Sequence, residues 1–98
     1  MNEDIYIKML RFGRSKVEDG GFKYYDLISH LKENGYPDMT ESNAVVKAFF
    51  LKAFFSPSSQ EIHHSAFYFI TPEAYIQLLD YDSAQQSRKA AKQANVLA

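Results

Sequence analysis

The chain has 98 residues, of which 46% are hydrophobic, 15% aromatic and 23% charged, with a formal net charge of -1. From this length we expect one small domain with an ordinary core rather than a multidomain protein. The aromatic content and the small net charge exclude a disordered chain. The absence of cysteine excludes a disulfide framework, a thiolate zinc site, an iron–sulfur cluster and a cysteine nucleophile.

The N-terminal segment does not follow the order of a signal peptide. Glu3 and Asp4 precede a short apolar stretch, and Arg11 and Arg14 follow it. The longest nearly apolar run, residues 44–55, has 12 residues and contains two lysines. A membrane-spanning helix needs about 20 apolar residues. We therefore expect a cytoplasmic protein without a membrane span.

The first part of the chain predicts two helices and a loop. Residues 3–12 and 22–34 each place their apolar side chains at helical spacing. Residues 13–21 hold three of the four glycines and predict the loop between them. Asn34-Gly35 predicts the end of the second helix, because glycine readily adopts the left-handed backbone found there.

A third helix is expected over residues 40–55, with Thr40 as its N-cap. Apolar side chains cover nearly every direction of this segment and only Lys47 and Lys52 interrupt them. A helix of this kind is buried on more than one side, and a domain of this size has limited interior for it. We therefore predict a protein interface on this helix, with a homodimer as the expected assembly. The predicted interface residues are Val46, Phe49, Phe50, Phe54 and Phe55.

The remaining chain predicts a short β element and a final helix. Residues 62–71 predict one strand or two, and Thr71-Pro72-Glu73 is typical of a helix start. Residues 83–98 predict a basic helical tail rich in alanine and glutamine, separate from a domain over residues 1–82. Three interpretations of this tail remain open. It is a solvated helix, a helix that pairs across a dimer, or a helix that binds an acidic partner.

This order of elements resembles that of a winged helix-turn-helix domain over roughly residues 3–82. FKYYDLISHLKENGY and TESNAVVKAFFLKAFF stand as the paired helices. AFYFITPEAYIQLL is similar to the strand and closing helix after the wing of small bacterial proteins of this type, which often carry glycine where this chain has Ala74. Residues 67–94 also resemble part of uncharacterised bacterial proteins in which a basic, serine-containing helix leads into membrane segments. The expected fold is mainly α with a short β element, and the resemblance implies DNA binding.

The charge distribution opposes DNA binding by the body of the domain. Residues 17–82 hold ten acids against four lysines, a net charge of -6, while residues 1–16 carry +2 and residues 83–98 carry +3. Duplex binding requires lysine and arginine to neutralise phosphates. A DNA-binding regulator is therefore the alternative to the leading hypothesis of protein association. Its site would use Ser42, Asn43, Lys47, Arg88, Lys89 and Lys92.

No motif predicts an enzyme, a cofactor or a metal site. Asp80 and Asp82 stand two residues apart on a helix and do not face each other. No serine stands in a Gly-x-Ser-x-Gly turn. Adjacent His63 and His64 on a strand point to opposite faces, so the two side chains do not share a metal ion. The sequence thus predicts a protein without catalytic activity, small-molecule substrate or cofactor.

Overall fold

The computed structural model describes residues 3–57 and 61–97, and side chains in residues 3–57 and 61–90. Within these residues the fold is mainly helical, with four helices and a two-stranded antiparallel sheet. The expected mainly α composition with a short β element is confirmed. The elements, in chain order, are α1 (Ile5–Ser15), α2 (Tyr24–Glu33), α3 (Ala44–Ala53), β1 (Phe54–Phe55), β2 (Phe69–Ile70) and α4 (Pro72–Leu97).

α1 continues past the expected end at residue 12 and passes through a glycine. Asp4 caps its start, since its Oδ1 accepts a hydrogen bond from the Ile7 backbone N at 3.0 Å. Gly13 lies inside the helix, where glycine is costly. A Cβ atom at this position would overlap the ring of Phe54. The glycine therefore allows the ring of Phe54 to pack directly against α1.

The end of α2 is where the sequence predicts it. Gly35 has a φ of +108°, a backbone conformation that other residues rarely adopt. α2 begins at Tyr24. The backbone N of the preceding residue, Lys23, donates a hydrogen bond to Asp26 Oδ2 at 3.1 Å. This bond satisfies one backbone donor at the start of the helix.

α3 is shorter than predicted at both ends. Its N-cap is Asn43, whose Oδ1 accepts from the Val46 backbone N at 3.1 Å, and not Thr40. The Thr40 hydroxyl lies 3.2 Å from Ser42 Oγ instead. The helix ends at Ala53 because the next two residues take extended backbone and form β1. Phenylalanine is favoured in strands, and pairing with β2 outweighs continuation of the helix.

The sheet joins two distant parts of the chain. Phe54 of β1 lies opposite Ile70 of β2. On the other side of β2, Phe22 forms an isolated bridge with Tyr68 through two backbone hydrogen bonds of 2.7 and 3.1 Å. All four of these side chains are buried. One face of the sheet therefore belongs to the core.

Phe50 of α3 lies in the centre of an aromatic core and has no exposed surface. The core fills the space between α1, α2, α3 and the inner face of the sheet. The neighbouring rings, with the distances between ring centroids, are Tyr68 at 4.7 Å, Tyr24 at 4.8 Å, Phe54 at 5.2 Å and Phe22 at 6.2 Å. These contacts account for the inner side of α3.

α4 begins as predicted and is a single helix across the expected boundary at residue 83. Thr71 Oγ1 accepts from the Ala74 backbone N at 3.1 Å. Ala74 and Leu78 are buried where α4 packs on α1, and residues 83–90 are all exposed. Within the part of the chain described, none of the helices combines the length and the apolar composition that crossing a membrane requires.

Candidate protein-interaction site

Three of the five residues predicted for an interface on α3 lie in the core. Val46 and Phe50 have no exposed surface, and Phe54 is 4% exposed. The domain thus has enough interior for these three residues, and their predicted place in an interface is corrected. α1, α2 and the inner face of the sheet enclose their side of α3. Their side chains are not part of the surface that the chain presents.

The other two predicted residues differ from each other. Phe49 is half-buried against α1, with its ring centroid 5.0 Å from that of Tyr6. Phe55 is 46% exposed and belongs to β1 rather than to a helix. Of the predicted set, Phe55 is therefore the residue with the most accessible side chain.

The outward side of α3 carries other apolar side chains. Val45 is 58% exposed and Leu51 is 57% exposed, and Ala44 and Ala48 are also exposed. At 3.6 residues per turn these positions lie on the side of the helix away from Phe50. We name these four residues the α3 surface. Sequence reasoning missed them because apolar side chains surround the whole helix and do not mark its inner side.

A groove adjoins the α3 surface at Leu51. It has a volume of about 530 Å³, and Ile62 contributes a second apolar side chain to it. Lys47 lines the groove together with Glu41 and Glu61. Two carboxylates beside one ammonium give this groove a mixed charge that is unsuited to a phosphate backbone.

A second apolar surface lies on the outer face of the sheet. Side chains alternate between the two faces of a strand. Over residues 66–70, which include β2, buried and more exposed side chains alternate in the same way. Ala66, Tyr68 and Ile70 are buried, whereas Phe67 is 51% exposed and Phe69 is half-buried. The sequence does not show this alternation, because residues 66–70 are apolar or aromatic at every position, so it could not identify the outward phenylalanines.

Two of the outward phenylalanines lie side by side across the sheet, and Phe67 comes two residues before Phe69 along the chain. Phe55 lies opposite Phe69 with a distance of 6.1 Å between ring centroids. Gly21 lies beside Phe69 with a φ of +95°, and a Cβ there would be only 3.0 Å from the Phe69 ring. Lys23 Nζ lies 5.5 Å from the centroid of Phe67. We name Phe55, Phe67 and Phe69 the sheet surface.

The three residues considered for DNA reading at the start of α3 are Ser42, Asn43 and Lys47. Ser42 is exposed, but the side chain of Asn43 caps α3 and so does not extend freely from the helix. Lys47 is exposed beside the carboxylates of the groove. This end of α3 therefore offers little positive potential.

The basic N-terminal segment is engaged in holding α4 on α1. Arg11 Nη2 lies 2.5 Å from Glu3 Oε2 and 2.6 Å from Asp82 Oδ1. Arg14 Nη1 lies 3.8 Å from Asp82 Oδ2. Hydrogen bonds from Arg11 lower the pKa of both carboxyl groups and raise the pKa of the guanidinium. These internal partners offset the charge of Arg11.

The tail differs from the N-terminal segment because its described cations extend into solvent. Arg88 and Lys89 are exposed on α4 beyond the last residues that pack on α1. The predicted side chain of Lys92 lies outside the described residues. The chain contains no acid after Asp82. The tail is therefore the most positive part of the molecule.

The histidines have local contacts. His63 Nδ1 accepts a hydrogen bond from the Ser65 backbone N at 3.3 Å. The ring of His30 lies 4.7 Å from that of Phe12, and burial lowers the pKa of His30. The described side chains include no group of three histidines or carboxylates arranged to hold a metal ion.

Comparison with protein-family models, with curated proteins and with solved structures finds no match to this chain. The functional argument therefore starts from the two apolar surfaces. Each combines partly exposed large side chains with a lysine: exposed Lys52 lies on the same side of α3 as Val45, and Lys23 lies over Phe67. Apolar and charged side chains also lie side by side in protein interfaces.

Proposed function

We propose that this chain is a winged-helix-like module without catalytic activity that acts by protein association, including self-association, through the α3 surface. The observation that carries the proposal is the exposure of Val45 and Leu51, at 58% and 57%, on the outward side of α3. In the winged-helix resemblance α3 takes the place of the helix that reads DNA. Such a helix presents polar and basic side chains to bases and phosphates.

The order of the elements supports the winged-helix part of this proposal. Three helices precede a β-hairpin, and α4 follows it. The bridge between Phe22 and Tyr68 adds a short contact from the segment between α1 and α2 to the same sheet. The segment between β1 and β2 takes the place of the wing. A cytoplasmic location completes the proposal.

The α3 surface supports a weak contact. Covering the exposed part of Val45 or Leu51 contributes about 1–2 kcal/mol each, on the usual relation between apolar area and free energy. Association also costs translational and rotational freedom and the ordering of side chains. A net value of about 8 kcal/mol would be needed for micromolar affinity, so these side chains support a weak association that we expect at hundreds of micromolar and above.

Sedimentation velocity at hundreds of micromolar tests the proposal. We expect wild type to exceed the monomer mass and the double variant Val45→Gln, Leu51→Gln to lose mass while keeping its circular dichroism spectrum. Tyr25→Gln on α2 is the matched control, because Tyr25 is 56% exposed, and its mass should equal that of wild type. A monomeric wild type, or an α3 variant with unchanged mass, refutes association through this surface.

DNA binding is the second candidate, favoured by the exposed Arg88 and Lys89 on α4. Phosphate contacts make binding strongly dependent on salt. If this function applies, duplex DNA should retain the protein at low salt and release it as salt rises. The triple variant Arg88→Gln, Lys89→Gln, Lys92→Gln should abolish retention, and retention unaffected by it would exclude the tail as the site.

A further inference from the structure

We infer that the basic tail of one copy of this chain binds the groove beside α3 of a second copy. The inference names the partner in the proposed self-association and rests on it, because Leu51 belongs both to the groove and to the α3 surface. The body and the tail carry charge of opposite sign. Residues 17–82 have a net charge of -6, and residues 83–98 hold three cations and no acid. Opposite charges favour the encounter of two surfaces and fix their orientation.

The groove suits long basic side chains. Glu41 and Glu61 line it with carboxylates, and Leu51 and Ile62 line it with apolar groups. Arginine and lysine carry a charged head on an apolar stem, so one side chain meets both kinds of lining. Lys47 offsets one of the two carboxylates, which leaves the described lining with a formal charge of -1 when histidine is counted as neutral. The groove therefore favours a cation over an anion.

The cations of the tail lie on one side of α4. At 3.6 residues per turn, positions 88, 89 and 92 fall within about 100° around the helix. Ala74 lies on this same side, five turns before position 92, and is buried where α4 packs on α1. The side of α4 that is apolar on the body is therefore basic beyond it.

The size of the groove fits the side chains of such a helix. Two turns of an α-helix about 10 Å wide occupy about 850 Å³, whereas the groove has a volume of about 530 Å³. The tail therefore lies across the groove, and the side chains of its basic side enter.

The tail is available to a second copy and does not reach the groove of its own chain. α4 is one helix to Leu97, so the 15 residues after Asp82 extend about 22 Å without a turn. The molecule measures 55 Å in its longest dimension against 29 and 22 Å in the other two. Within the described residues, the tail lines no part of the groove, and neither Arg88 nor Lys89 has a carboxylate partner. Another molecule supplies the carboxylates.

The first experiment reverses the charges of each partner in the contact. The groove variant is Glu41→Lys, Glu61→Lys, and the tail variant is Arg88→Glu, Lys89→Glu. In sedimentation velocity at hundreds of micromolar and low salt, each variant alone should associate about tenfold more weakly than wild type, because like charges then face each other. An equimolar mixture should match wild type within about threefold, because each groove then meets a tail of opposite charge. Wild-type association of either variant alone, or a monomeric mixture, overturns the inference.

The groove variant keeps the backbone contacts of both glutamates. Their carbonyl groups accept hydrogen bonds from core tyrosine hydroxyls at 3.1 and 3.0 Å, so the circular dichroism spectrum should be unchanged. The matched control is Glu18→Lys, Glu33→Lys, which changes the net charge equally at exposed positions outside the described groove lining. It should change association less than about threefold. A control as weak as the groove variant means an effect of net charge alone and overturns the inference.

The second experiment removes the cation of the groove. Lys47→Gln should strengthen association about threefold, because the lysine repels the tail. An apolar contact through α3 alone gives no such gain, since its free energy depends little on charge. Unchanged or weaker association of this variant overturns the assignment of the tail to the groove.

The inference and the proposed function fail in different ways. If Val45→Gln, Leu51→Gln loses mass while the charge variants associate like wild type, the α3 proposal stands and the tail does not bind the groove. Val45 lies outside the described groove lining. If Val45→Gln alone keeps the mass while the charge variants lose it, the tail contact stands and the wider α3 surface takes no part. A wild type that stays monomeric overturns both.

Discussion

Phe50 and Phe55 provide a direct test of which phenylalanines of this segment form the core. Phe50 has no exposed surface and packs against four rings, whereas Phe55 is 46% exposed on the outer face of the sheet. We expect Phe50→Ala to lower the free energy of unfolding by about 3–5 kcal/mol, the cost of a cavity in a fixed aromatic core. Phe55→Ala should cost about 1 kcal/mol, because about half of its side chain is already in water.

Urea unfolding followed by circular dichroism measures both values at a protein concentration where the chain is monomeric. A domain of this size has a total stability of about 5–15 kcal/mol. Phe50→Ala should therefore lose a large part of it, with a fall in the melting temperature of at least about 12 °C. Equal losses for the two variants, or a loss below about 1.5 kcal/mol for Phe50→Ala, would refute the assignment of Phe50 to the core.

Two further substitutions test local packing and pH dependence. Gly13→Ala improves helix propensity by about 1 kcal/mol, but its Cβ meets the buried ring of Phe54, so we expect a net loss of about 1–3 kcal/mol in thermal unfolding. A net gain would contradict this packing, and Phe54→Leu in the same chain should relieve the loss. Burial lowers the pKa of His30 below its ordinary value of 6.5, so the unfolded chain takes up this proton at a higher pH than the folded chain. Stability should be complete above about pH 6.5 and fall as the pH drops through the folded-state pKa. His30→Gln should flatten the free energy of unfolding between pH 7 and 5.5, and an unchanged slope would contradict this origin.

Features set by local chemistry could be predicted from the sequence. The start of α4 depends on the hydroxyl of Thr71 and the ring of Pro72, and the end of α2 depends on Gly35, so neither needs a distant partner. The start of α3 could not be settled in this way, because Thr40 and Asn43 are both good N-caps. The turn before α3 also contacts the core, where the Tyr24 hydroxyl donates to the Glu41 carbonyl at 3.1 Å.

The end of α3 and the identity of its buried side depend on parts of the chain far from it. Phe54 and Phe55 fit the helical pattern, yet Phe54 pairs with Ile70, 16 residues further along the chain, and Phe55 pairs with Phe69, 14 residues further along. Apolar side chains around the whole helix give no period from which to read the inner side. The core selects Val46 and Phe50, and leaves Val45 and Leu51 outside.

The positions of the free positive charges also depend on contacts between distant parts of the chain. Net charge over residues 1–16 treats Arg11 as available to a partner, but the fold brings Glu3 and Asp82 to its guanidinium. The arginine therefore contributes to the position of α4, and the positive potential of the molecule lies with the exposed Arg88 and Lys89. The exposed side of α3 carries Val45 and Leu51 beside Lys47 and Lys52, and the sheet carries exposed phenylalanines. Desolvation of this apolar surface is the larger available source of binding free energy for the body. Such binding depends weakly on salt, whereas binding through the tail to phosphates falls steeply as salt rises. The salt dependence of any complex thus assigns it to the body or to the tail.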